Sequence, residues 1–66
     1  MTARILTANL LSDGHVVYMD ANGEWSNWIE SGQIVKTDRA AEKLVDAAAL
    51  DVADGVVISP YLIEVV

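Results

Sequence analysis

Apolar residues in the first third of the chain come in short runs, and each run is closed by turn-forming residues. The stretch from Leu6 to Trp25, LTANLLSDGHVVYMDANGEW, holds two such runs and the start of a third. Ser12-Asp13-Gly14 and Asp20-Ala21-Asn22-Gly23 separate them. Asp-Gly and Asn-Gly pairs supply the positive-φ residues that tight reversals need. The pattern predicts a three-stranded antiparallel meander.

Residues Arg4 to Leu10 are expected to form the first strand. Side chains in a strand alternate between faces, so Leu6, Ala8 and Leu10 share one side, while Ile5, Thr7 and Asn9 share the other. The first set is the better core. His15 to Met19 returns the chain, with Val16 and Tyr18 opposite Val17 and Met19. Both faces are largely apolar, which predicts a central strand covered on two sides. Trp25 opens a short third strand. Ile29-Glu30-Ser31-Gly32 looks like a break, and Gln33 to Lys36 like a fourth extended segment.

From Thr37 the period changes. Thr37-Asp38 offers an N-cap, and an alanine-rich helix is expected over about 39–53. At 100° per residue Ala41, Leu44, Val45, Ala48 and Val52 form one stripe; Arg39, Lys43, Asp46 and Asp54 lie opposite. Leu50 projects into the charged side, so another element covers it or it is a contact residue. Gly55 is a natural terminator. Val56 to Ile58 is β-branched, Ser59-Pro60 interrupts it, and Tyr61 to Val66 is a last extended segment whose apolar end calls for a paired neighbour. The expected fold is one α+β domain over 1–66: an antiparallel meander of four to five short strands, the helix packed on one face, and a C-terminal strand after it.

Composition sharpens this picture. Hydrophobic residues make up 53% of only 66 residues, above the usual ~45–50%. A domain this small buries only about 60% of its unfolded surface, so part of the apolar surplus stays outside. Dimerisation is a common remedy. With no cysteine present, disulfides, cysteine-ligated iron–sulfur clusters and cysteine-based zinc sites are excluded. Ten acids against four bases give a net charge of −6. That balance disfavours nucleic acid and anionic membrane surfaces, both of which attract clustered Lys and Arg. No secretory or transmembrane pattern is visible, and a soluble cytoplasmic protein is expected.

The candidate chemistry is thin. Asp20-Ala21-Asn22-Gly23-Glu24 places oxygen ligands at alternate positions, as calcium loops begin. Its glycine comes too early and no bidentate Glu follows, so a hairpin turn is the better reading. His15 is the single histidine and lacks partners for a zinc or nucleophilic site. Asp51 and Asp54 sit near a helix C-terminus, where a solvated end is the simpler account. No catalytic residue, metal site or cofactor is expected, and the chain is not expected to be an enzyme. Tyr18 and Trp25 are candidates for a core or for a pocket between helix and sheet. Trp28, beside the Gly/Ser break, and Leu50 are candidates for an interaction patch.

The run Thr7-Ala8-Asn9, Leu11, Gly14, Val16-Val17-Tyr18 resembles the opening motif of a small family of uncharacterised bacterial domains. The later Pro60-Tyr61-Leu62-Ile63-Glu64-Val65 resembles its closing motif. Members are typical of alphaproteobacteria and are encoded beside sulfite or nitrite reductase genes of sulfate assimilation. The resemblance implies an accessory or interaction protein with a protein partner, sulfite reductase components among the candidates, and carries no catalytic residues. The alternative is a small-molecule-binding or sensor module of the same pathway. Self-association through a strand edge or the Trp28 region is also expected.

Overall fold

The computed structural model describes residues 3–65. In chain order it contains β1 (Ala3–Leu10), β2 (Val16–Met19), β3 (Trp25–Ser26), a 3-10 turn (Ile29–Ser31), α1 (Asp38–Ala53) and β4 (Val57–Val65). The four strands make one antiparallel sheet in the order β3-β2-β1-β4. The fold is α+β, with a C-terminal strand after the helix. Val66, expected in the last strand, lies outside the described residues.

Local chemistry sets the two reversals. Gly14 and Gly23 both take positive φ, +76° and +78°, as the Asp-Gly and Asn-Gly pairs require. The Asp20 carboxylate braces the second turn: its Oδ1 accepts the N–H of Asn22 and of Glu24, each at 2.9 Å. Those bonds give this acid a structural job in a hairpin.

The helix begins one residue earlier than expected. The Thr37 hydroxyl caps it by accepting the Ala40 N–H at 3.1 Å, which satisfies one of the unpaired amides of the first turn. At the other end Gly55 N–H donates to the Val52 carbonyl and Val56 N–H to the Asp51 carbonyl. This pair of bonds is a Schellman closure.

One face of α1 carries Ala41, Leu44 and Ala48 against Leu6, Met19 and Val35. Alanine at two of these three positions lets the helix approach the sheet closely. Ala8, Val17 and Val57 continue the core, and Trp25 packs on both groups. Val45 and Val52, expected in the buried stripe, lie at its flank and stay exposed. Arg4 joins the layers by an ion pair with Asp38 at 2.8 Å.

Three expectations need correction. β2 is interior to the sheet, between β3 and β1, but it is covered on one face only: Val17 and Met19 are buried while Val16 is exposed. Gln33 to Lys36 is not a strand: Val35 makes a lone bridge to Arg4, with reciprocal N–H···O bonds of 2.9 Å. Ser59-Pro60 does not split the last segment, since β4 runs through it as one strand. The β1 register shifts between Thr7 and Asn9. Ser59 absorbs that bulge at φ +53°.

Candidate functional site

The sheet has two faces, and the described residues hold one α-helix. Alternation and register fix which residues the helix leaves uncovered. Leu6 and Ala8 face α1, so Ile5, Thr7 and Asn9 point away from it. Their strand partners share that far face. Thr7 lies between Tyr18 on β2 and Tyr61 on β4. Asn9 lies between Val16 and Ile58, and Ile5 beside Ile63. Ser26 extends the tyrosine row beyond Tyr18.

A short segment crosses one end of this face. The Trp28 N–H donates to Ser26 Oγ at 3.1 Å, which draws the chain to the far side after β3. The 3-10 turn follows, and Gly32 then lies against Ile5: a Cβ at Gly32 would sit 2.6 Å from Ile5 Cγ2. Ile5 is buried in this way. Thr7 is also buried, at 2% exposure. Its hydroxyl donates to the Val17 carbonyl at 2.9 Å.

The rest of the face is open. Tyr61 is 57% exposed, Val16 47% and Ile58 43%. Trp28, at the margin, is 68% exposed. Every side chain that the strands project here is uncharged, although the chain carries −6. The accessible surface of 4396 Å² slightly exceeds the roughly 4,100 Å² that scaling gives for a folded chain of 7.1 kDa.

The expected pairs of site residues are separated. Trp25 pairs with Met19 and Tyr18 with Ser26, so Trp25 faces the helix while Tyr18 faces away. Trp25 Nε1–H donates to Asp51 Oδ2 at 2.8 Å, on the helix side of the sheet. Trp28 and Leu50 are both highly exposed, but Leu50 belongs to the helical layer and Trp28 to the margin of the opposite face. The signal for the open face was available: Ile5, Tyr18, Ile58, Tyr61 and Ile63 fall on one side by period two, and a single helix covers only one side.

A cleft of about 380 Å³ lies elsewhere, between the Asp20–Gly23 turn and the helix residues Ala40, Lys43, Leu44 and Ala47, with Met19 and Gln33 in its wall. It includes neither Tyr18 nor Trp25. His15 stands exposed at the β1–β2 turn, its backbone N–H bonded to Asp13 Oδ1. Among the described residues no three His, Asp or Glu side chains converge as metal ligands. No helix among them is long and apolar enough to cross a membrane.

The family model "Protein of unknown function (DUF2849)" matches residues 4–66. The chain belongs to the DUF2849 family. That match spans the helix and, from Arg4 on, the sheet, so the open face is part of the DUF2849 domain itself. No curated protein and no solved structure shows significant similarity to it.

Proposed function

We propose that this DUF2849 protein is a non-catalytic accessory protein that works by presenting surface to another protein. One observation carries the reading: a broad sheet face, uncharged and rich in tyrosine and branched aliphatic side chains, left open on a strongly acidic chain. Contiguous exposed apolar surface of this kind marks contact sites. Tyrosine and tryptophan are the residue types that dominate binding energy there. The scattered carboxylates and the exposed, isolated His15 support a role without acid–base chemistry.

The resemblance noted in the sequence points to assimilatory sulfite reductase as the system served, in the cytoplasm. Capture of the tagged protein from its native cells tests this. Sulfite reductase or its electron donors are expected well above background. Their absence there sinks the assignment.

The cleft beside Lys43 favours a second reading, a sensor for a small molecule. Its volume is at the lower end for ligand sites. A thermal-shift screen against sulfur-assimilation metabolites distinguishes the two, because a surface-presenting protein gives no saturable shift.

A further inference from the structure

We infer that the open sheet face is a self-complementary interface, and that two copies of this chain stack on it face to face. The inference rests on the reading of this face as a contact surface and names its occupant.

Area is the first argument. The strands hold 8, 4, 2 and 9 residues. At a spacing of about 4.8 Å and a rise of about 3.3 Å per residue, their face is on the order of 360 Å² in projection. Two copies cover about 700 Å² in projection, and the relief of exposed side chains such as Tyr61, Val16 and Ile58 raises this toward the ~1,000 Å² at the low end for a specific interface. The face is thus large enough for a weak dimer. A second copy offers the same uncharged rows under a two-fold axis.

Charge is the second argument, and it selects the face over the strand edge. Stacked sheets lie about 10 Å apart, and each helix lies about 10 Å beyond its own sheet. The two helices, which carry Asp38, Glu42, Asp46 and Asp51 beside Arg39 and Lys43, end up on opposite outer sides, roughly 30 Å apart. That is several screening lengths of about 8 Å, so the helix carboxylates of the two copies repel one another little in this arrangement. Pairing through the β4 edge instead sets two helices side by side and brings Glu64 toward its own copy.

The edge is also poorly equipped. Arg4 turns its backbone groups to Val35. By alternation Ile5, Thr7 and Asn9 turn theirs to Ile63, Tyr61 and Ile58 on β4. Only Leu62 and Glu64 then direct both N–H and C=O outward beyond the bulge. Pro60, the preceding outward position, has no N–H to give.

Sedimentation equilibrium from low to high micromolar concentration is the test, with Tyr61→Lys and Val16→Lys on the face and Leu50→Lys on the helix. The wild type is expected to dimerise. Each face substitution is expected to weaken the dimer about tenfold or more, as loss of a buried anchor does. Leu50→Lys is expected to leave it unchanged, and circular dichroism checks that each variant is folded. Added sodium chloride is expected to leave the wild-type dimer intact or tighten it, a readout that needs no variant. A wild type that stays monomeric overturns the inference. So does a dimer that salt dissociates, one indifferent to both face substitutions, or one broken by Leu50→Lys. A monomeric wild type that still captures sulfite reductase, and loses it on Tyr61→Lys, overturns self-pairing alone and leaves the accessory role standing.

Discussion

Gly32→Ala pits two effects of opposite sign against each other, and the structure says which wins. Gly32 has φ −63° and ψ +138°, a conformation alanine adopts without strain. On backbone entropy alone the change stabilises by ~0.4–1 kcal/mol. The new methyl, however, meets Ile5 Cγ2 at 2.6 Å and the Ile29 carbonyl oxygen at 3.2 Å. Ile5 is buried and its Cγ2 is fixed next to the backbone, so relief requires the crossing segment to lift. Overpacking of this kind costs ~1–3 kcal/mol. The net expectation is destabilisation of about 1 kcal/mol, or a fall in Tm of roughly 4–8 °C for a domain of this size. Thermal and urea unfolding followed by circular dichroism measure it. Ile5→Ala supplies the control: with that methyl gone, Gly32→Ala is expected to become neutral or mildly stabilising, a coupling visible in a double-mutant cycle. A stabilising Gly32→Ala in the wild-type background refutes the close contact, and with it the account of why Ile5 is buried.

Two further changes probe the bulge and the helix side of the sheet. Ser59 holds φ +53°, a region hostile to β-branched residues. Ser59→Val is expected to cost about 1–2 kcal/mol and Ser59→Gly to be neutral or stabilising; equal effects in urea unfolding contradict the left-handed assignment. Trp25→Phe removes the 2.8 Å bond to Asp51. The site is partly solvated, so a loss of about 1–2 kcal/mol is expected, at the low end for bonds to charged groups. Asp51→Asn, which keeps an acceptor, is expected to lose less, and the reverse order in Tm contradicts the bond.

The elements were legible because their determinants are local. Asp-Gly and Asn-Gly placed the turns, Thr37 the helix start, and Gly55 its end. What failed was long-range. Both faces of β1 and β2 are apolar, and nothing in their pattern says that β4 returns beside β1 rather than β2. Val35 sits in a run that looks like a strand but makes only one bridge. Ser59 and Pro60 look like an interruption, yet a single residue at positive φ takes up the slip and lets the strand continue. The expected Tyr18–Trp25 pocket fell to register: Met19, not Tyr18, opposes Trp25, and a shift of one residue reverses the face. For the open face, period two was enough to group its residues. The pattern did not show that β3 is too short and the 3-10 turn too small to cover it.

The pairing of Ala3 with Val65 has a bearing on how the molecule comes into being. β1 precedes β4 in the chain, so it gains its second neighbour only once β4 has been made, since domains fold as units once their parts are present. Until then β1 offers a bare hydrogen-bonding edge to whatever is near. Closure between such distant segments also slows folding relative to a helical bundle of equal length. The same adjacency brings the two ends of the described segment together. A short linker can therefore join them, and new ends can be opened at the exposed Asp20–Gly23 turn with the sheet order preserved.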